Sequence, residues 1–477
     1  MLTLINTNRM QPPVAPIGLE YCALAAQAAG IEVTILDLGL TEDPKTAFNN
    51  FFSYHRPALI GLSLRNVDDC FWPSCQWFLP QLKEQIQSLR TLTDSPICLG
   101  GIGFSLFPRQ IMDFTQADFG VRGDGESALP QLYRALTGSH PLAYVPGLIH
   151  RNNGIWCANP PAHPDPLVVP TQRTLLDNVT YFRRGGQMGF ETKRGCNRPC
   201  LYCADPIAKG HTVRLRAPQE VADEIECLLA QGIDCFHTCD AEFNIPADHA
   251  LAICQEFIRR SLGKRMRWYA YLSVVPFSSE LAVTMKKAGC VGIDFTTDAA
   301  NPAMLSAYCQ PYTKEDIHTA VQLCRSNGIA VMTDLLLGGP GETADTLTES
   351  IEFLKQINPD AVGTGLGVRI YPGTPMIPLL SAQGPLESNP NLKRKYEGPI
   401  DFLKPTFYIE HGLGSNPARL IKDLINQDPR FFEPTEDLPK EQSHAVDHNY
   451  NTNTELMDAI KDGARGAYWD ILRSLKA

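Results

Sequence analysis

From its first residues the chain alternates short, almost wholly apolar runs with longer stretches whose apolar positions recur every three or four residues. "LTLINT" reads as a buried strand, Gly18 to Ala29 as a helix, and "EVTILDL", "ALIGLSL" and "SPICLGG" as further strands. A helix built around "CQWFLPQLKEQIQSL" precedes the fourth strand, and "ADFGVRGDGE" supplies a short fifth strand and a loop. Over residues 1–150 this alternation predicts an α/β domain, a doubly wound, Rossmann-like parallel sheet with its ligand outside the carboxyl ends of the strands.

The rhythm breaks over residues 151–188, where five prolines between Pro160 and Pro170 predict an extended connector. It resumes at Gly189. "MGFETKRGC", "CFHTC", "RWYAYLSV", "VGIDFTTD", "AVMTDLLLGG" and "AVGTGLGVRI" are strands separated by helical segments, six βα units in all. They predict a partial (β/α)6 barrel over 189–385, with reactive groups on loops at the strand carboxyl ends. Residues 386–477 lose the alternation and read as a mostly helical C-terminal extension, with amphipathic spacing in "NTELMDAIKDGARGAYWDILRSLKA".

Composition changes this picture little. Apolar residues make up 44% and charged residues 20% of 477, which is ordinary for a globular chain. No run of about twenty apolar residues is present, so no membrane span is expected. The start of the chain lacks the basic-then-apolar pattern of a secretory signal, so a cytoplasmic location is expected. The net charge of -10 argues against broad nucleic-acid binding. The fifteen cysteines are an odd count scattered in apolar segments, which fits buried thiols in a reducing compartment rather than a disulfide framework.

Three of those cysteines stand together. Cys196, Cys200 and Cys203 form CxxxCxxC in "KRGCNRPCLYCADP". A closed zinc site needs four ligands, and only His211 lies nearby as a fourth. Three thiolates on one tight loop fit an iron–sulfur cluster that leaves one iron without a cysteine.

With the six βα units and "GGPGET" after the fifth strand, this loop resembles that of the radical S-adenosylmethionine (SAM) superfamily. The resemblance implies a [4Fe–4S] cluster whose open iron is chelated by SAM, with Tyr202 packed near the adenine. It also implies SAM contacts at the strand ends. Asp240 or Glu242 in "CDAEFN" would hold the SAM amine, and Asp298 the ribose. Asp334 and Arg369 would meet carboxylate, ribose or substrate. Capping acids and buried ion-pair partners would look the same in sequence. Glu242 has a second reading, as a ligand to the open iron that would favour polar over radical chemistry.

In the first domain, Pro12 and Gly18 in "PPVAPIGLEY", Ser63 to Asn66 in "SLRN", Gly100, Gly101 and Ser105 in "GGIGFS", and Gly123, Gly125 and Glu126 in "GDGE" all sit on loops after strands. Glycines there let a backbone approach a ligand closely. No GxGxxG follows the first strand, which argues against NAD. Placed before such a barrel, these pieces resemble the cobalamin-binding domain of cobalamin-dependent radical SAM enzymes, and the resemblance makes them cofactor contacts. No DxHxxG motif is present to supply a histidine to cobalt. Arg65 then becomes a candidate to lie beneath cobalt, the alternative being a salt bridge to Asp68 or Asp69. "SLRN" with "CDAEFN" is similar to the subgroup that contains tryptophan 2-C-methyltransferase.

The expected function is methylation of a carbon of a small molecule or natural product through methylcobalamin, with substrate in the cleft between the domains. An external flavodoxin- or ferredoxin-type electron donor would serve the radical version. The alternatives are oxidation, cyclisation or rearrangement without methyl transfer, and a non-catalytic module that consumes no SAM. The aromatics Trp268, Tyr269 and Tyr271 would line either a pocket or the barrel core.

Overall fold

The computed structural model describes residues 1–138, 140–437 and 449–476. The part of the expected helical extension at 438–448 lies outside these residues. Among the described residues no helix is long and apolar enough to cross a membrane.

The first sheet contains β1 (Leu2–Asn6), β2 (Val33–Asp37), β3 (Leu59–Ser63), β4 (Ile97–Gly100), β5 (Phe119–Val121), β6 (Leu148–Asn152) and β7 (Ile155–Ala158), in the order β2-β1-β3-β4-β5-β6-β7. The first five strands are parallel, and β6 and β7 add an antiparallel hairpin. Helices cover both faces. On one, α1 (Ile17–Ala28) brings Leu19 and Ala23 onto Leu2 and Leu4. On the other, α2 (Pro44–Tyr54) and α3 (Leu79–Arg90) pack Phe48, Phe52, Leu82 and Ile86 onto Ile5, Ile60 and Leu62. The sheet therefore continues to Ala158, beyond the expected boundary at 150. Helix α2, absent from the sequence reading, starts at an Asp43 cap that accepts from the Lys45 and Thr46 N–H groups, followed by Pro44 at the first position.

The second sheet takes β8 (Met188–Phe190), then, past a short hairpin of β9 (Lys193–Arg194) and β10 (Arg214–Leu215), β11 (Cys235–Thr238), β12 (Arg267–Leu272), β13 (Cys290–Asp298), β14 (Ala330–Leu337) and β15 (Ala361–Leu366). All six main strands are parallel and adjacent in chain order, the arrangement expected of a (β/α)6 partial barrel. The extension is helical at Pro417–Ile425, Thr454–Lys461 and Tyr468–Lys476. It also adds strands. β17 (Leu392–Arg394) and β18 (Thr406–Tyr408) make a small antiparallel sheet with β16 (Val368–Arg369), which follows β15 in the barrel, and β19 (Phe431–Phe432) joins β15 in parallel.

Buried charge joins the two halves. Glu20 of α1 and Glu224 of the barrel both pair with Arg173 of the connector, at zero side-chain exposure for all three. Arg216 donates to Glu224 at 2.7 Å, and the Tyr21 hydroxyl donates to the same carboxylate at 2.8 Å. The proline-rich connector is thus pinned at its end rather than loose. Residues 449–452 fasten the extension to the first domain through Asn451 Nδ2 on Gln76 (2.6 Å) and Thr452 N on the Gln11 carbonyl (2.7 Å).

"GGPGET" forms the turn after β14. Glu342 folds back so that its carboxylate accepts from the Gly338 N–H, and burial pushes its pKa up to about 8. Between an ordinary glutamate value of about 4.3 and that value, the folded chain keeps a proton that the unfolded chain has released. Raising the pH across this window therefore costs stability. Glu342→Gln should flatten that part of the profile, which thermal unfolding of the cofactor-free protein at pH 5.5 and 8.5 would show.

Candidate active site

The three cysteines sit between β9 and β10, so a two-strand hairpin holds both ends of their loop. Cys196 N–H donates to the Gly210 carbonyl and Cys203 N–H to that of Cys200. Leu201, buried between the second and third cysteines, donates to the Tyr308 carbonyl and accepts from Met376 N–H. Gly195 has φ +87°, and a side chain there would run into the Thr212 carbonyl oxygen. Burial pushes the Cys200 thiol up to about 12 and raises Cys196 as well. Thiols in that state become thiolates by binding a cation.

Among the described residues no three His, Cys, Asp or Glu side chains converge closely enough for one metal ion. Gln310 Nε2 lies 3.6 Å from Cys200 Sγ and can donate to it.

Around this loop the predicted residues separate into two groups. Asp240 is locked, accepting from Thr192 N (2.9 Å), Thr192 Oγ1 (2.6 Å) and Lys193 N (3.2 Å). It shapes the approach to the cysteine loop and is not an open contact for the SAM amine. Glu242, two residues on, is open. Oε1 accepts from Thr296 at 2.8 Å, while Oε2 is buried with no hydrogen-bond partner. Burial pushes Glu242 up to about 7, with the Thr296 hydroxyl and the Lys193 ammonium opposing.

Tyr202 donates to Asp298 at 2.7 Å, and Gln310 donates to the same carboxylate. Tyr202 and Asp298, predicted as separate contacts, are therefore one unit beside Cys200. Burial pushes Asp298 up to about 7. Arg369 is not at this site. It pairs with Asp68 at 2.8 Å and donates to the Ile370 and Phe402 carbonyls, which makes it a buried tie between the domains.

That pairing also decides the alternative for Arg65. Asp68 is taken by Arg369, and Asp69 accepts from Ser74 and from Gln76 N. Among the described residues Arg65 has no ion pair, and it is exposed. Its charge acts on Cys239 and Tyr271 of the barrel and on Tyr468 of the extension. Arg65 lines the cavity at the carboxyl ends of β1 and β3, within electrostatic reach of the barrel.

Asn66 lines a cavity of about 220 Å³ at the carboxyl ends of β1 and β3, with Asn8, Gln76, Gln81, Gln85 and Asn451. Both amide atoms of Gln85 are buried without a partner. Six carboxamides suit a ligand that itself carries amides, as the corrin periphery of cobalamin does. Ser63 ends β3, its carbonyl accepting from Thr7 at 2.6 Å, and Pro12 is buried in the loop after β1. Gly101 has φ +99°, and a Cβ there would lie 2.5 Å from the Leu64 carbonyl oxygen, so only glycine fits. Gly100 ends β4, and Gly125 opens the helix after β5.

Three further expected cofactor contacts have the following surroundings. Ser105 donates to the Gly101 carbonyl (3.0 Å) and accepts from Gly123 N (3.2 Å), so it ties two glycine loops together. Glu126 is engaged by Arg194 at 2.7 Å. Gly18 is exposed in the first turn of α1 with open space around it, and no close approach requires glycine there.

The barrel lumen holds groups the sequence reading passed over. Asp294, across from Tyr271 in the β12–β13 register, is buried, with Oδ1 unpartnered. Its carboxyl is raised by burial and by the carboxyls of Asp334 and Glu242. Burial raises Tyr450 of the extension, and the charges of Asp334, Tyr271 and Asp294 act on it there, while its ring packs on Tyr468 at 5.6 Å. His237 packs on Tyr271 at 4.8 Å with Nδ1 on the Thr238 carbonyl, and burial lowers it to about 4. Of the three aromatics of β12, Trp268 is core, Tyr269 bonds Asp470 at 2.8 Å, and Tyr271 opens into the lumen.

Known proteins match this arrangement along its length. The profile of the Radical SAM superfamily matches residues 190–354, and that of the B12 binding domain matches residues 4–133. TsrM of Kitasatospora setae, a radical SAM methyltransferase solved with tryptophan and a SAM analogue, aligns with a TM-score of 0.91 and 30% identity. The alignment covers 99% of this chain and 97% of that one. The same enzyme with cobalamin and a [4Fe–4S] cluster aligns at 0.89. Tryptophan 2-C-methyltransferase of Streptomyces laurentii is 28% identical over all of this chain and 96% of its own length. OxsB, a cobalamin-dependent SAM radical enzyme, shares the fold at 16% identity and a TM-score of 0.72 over 86% of this chain. With a cobalamin domain and a radical SAM barrel in one order and one frame, the chain belongs to the cobalamin-dependent radical SAM methyltransferases.

Proposed function

We propose that this methyltransferase acts on an aromatic, tryptophan-like small molecule held in the barrel lumen between the cysteine loop and Arg65. The observation that carries this reading is Arg65, which has no ion pair among the described residues and whose charge reaches Tyr271 of the barrel from the other domain. The whole-chain likeness to a tryptophan methyltransferase supports the same substrate class. When bound, the cluster and cobalamin supply SAM binding and methyl carriage.

The chain's own groups do the rest. Cys196, Cys200 and Cys203 would hold the cluster, and Glu242, with its orphaned Oε2, is a candidate further ligand to it. Tyr202 and Asp298 offer a hydroxyl and a carboxylate beside Cys200 for the SAM nucleoside. Asn66, Gly100, Gly101 and Gly123 would shape the loops that hold cobalamin, and the Arg65 charge would disfavour a protein ligand to cobalt. Tyr271, Tyr450 and Tyr468 give the substrate ring a flat apolar wall. Asp294 and Asp334 supply acceptors for its N–H groups, and the extension closes the lumen. In a radical version of the reaction, an external flavodoxin- or ferredoxin-type donor would supply the electron.

Glu242→Gln tests the iron assignment. The cluster absorbance should persist, the electron paramagnetic resonance (EPR) signal of the reduced cluster should shift, and turnover should fall at least about tenfold. An unchanged signal and unchanged turnover would remove Glu242 from the iron. Assays of aromatic amino acids, a tetrapyrrole and a hopanoid for S-adenosylhomocysteine release test the substrate class. Turnover confined to a non-aromatic substrate would contradict it.

A further inference from the structure

We infer that Arg194 is a positioning residue that sets the spacing between the cobalamin loops and the cluster loop. The inference rests on the loop assignments proposed above. Arg194 stands two residues before Cys196, and its side chain, about nine-tenths buried, crosses to the first domain. Nη2 meets Glu126 at 2.7 Å and Nη1 meets Asp124 at 3.4 Å, while Nε is held by Glu191 at 2.9 Å. Arg214, on the other strand of the same hairpin, pairs with Asp124 as well. One loop of the first domain thus grips both strands that carry the cysteine loop.

The connection has little slack at either end. On the cluster side Gly195 is packed against the Thr212 carbonyl, and Cys196 N is bonded to Gly210. On the cobalamin side Gly123 N is bonded to Ser105, whose hydroxyl is bonded to Gly101. An unbroken path of covalent and hydrogen bonds runs from Gly101 through Ser105 to Gly123, along the chain to Glu126, and through Arg194 to Cys196. A planar guanidinium fixes direction in a way an ammonium does not. Transfer reactions are sensitive to errors of about 1 Å in placement, which can cost about a hundredfold.

The test uses the holoenzyme, loaded with cluster and cobalamin, in wild-type, Arg194→Lys and Glu126→Gln forms. Glu126→Gln leaves the Asp124–Arg214 pair in place and so keeps the hairpin docked. Pulsed EPR of the reduced cluster and cob(II)alamin reads the distance between them without turnover. The wild type should give one narrow distance. Both variants should hold full cofactor yet show a broadened or longer distance, with kcat lowered about 10- to 100-fold and KM for substrate little changed. An unchanged distance in fully loaded variants overturns the inference alone. Loss of either cofactor from both variants makes the contact architectural and also overturns it. A wild type that holds only one cofactor overturns the loop assignments, and the inference with them.

Discussion

Replacing Cys200 by alanine abolishes methylation and removes the brown cluster absorbance, while cobalamin stays bound. The loop is pinned independently of its thiols, through Leu201 to Tyr308 and Met376 and through Cys196 N to Gly210. The variant should therefore fold and keep the hairpin in place. What it loses is one of three anionic ligands, and a cluster that already has an iron without cysteine does not survive losing another. The first domain contributes none of those ligands, so cobalamin should remain, visible by its own absorbance. Loss of both cofactors from Cys200→Ala would show that the two sites are not separable and would undermine the two-domain account.

The second large effect is on stability. Glu224→Ala should cost about 3–5 kcal/mol, the range for breaking a buried ion pair from one side. Glu224 accepts from Arg173 (2.9 Å), Arg216 (2.7 Å) and Tyr21 (2.8 Å), and the charged side chains are at zero exposure. Without it two guanidiniums stay buried with one carboxylate, Glu20, between them. The surface pair Arg260–Asp223, whose aspartate is half exposed, should be worth no more than about 1 kcal/mol. Because Tyr21 and Glu20 belong to the first domain, the loss should appear as earlier separation of the two domains. Denaturant unfolding followed by both tryptophan fluorescence and cobalamin release would read it. A change under about 1 kcal/mol would mean that water enters the network and relieves it.

The elements were readable where local pattern decides them. "LTLIN", "LIGLS" and "AVMTDLLL" became strands because apolar, β-branched runs bounded by turns have few other outcomes, and the cysteine spacing carried its own chemistry. Partner choice was not readable. Asp240 and Glu242 stand on one loop two residues apart, yet one is saturated by Thr192 and Lys193 while the other keeps an orphaned oxygen. Only the way β8 passes β11 separates them. Arg369 and Asp68 lie 301 positions apart, and nothing near either announces the other. Glu126 and Ser105 sit in glycine loops that look like ligand loops. The structure spends them on Arg194 and on the loops themselves. Helix α2 was missed because "PKTAFNNFFSY" offers few apolar repeats, although its Asp-Pro start is a sound cap.

Anaerobic turnover of the reconstituted enzyme with tryptophan and SAM carrying a trideuteromethyl group tests methylation through cobalamin most directly. The product should bear the intact trideuteromethyl group on a ring carbon. S-adenosylhomocysteine should form in step with it, and both should be lost when cobalamin is omitted. Product formed without cobalamin, or SAM consumed only to 5′-deoxyadenosine with no methylated product from any aromatic substrate, would contradict it.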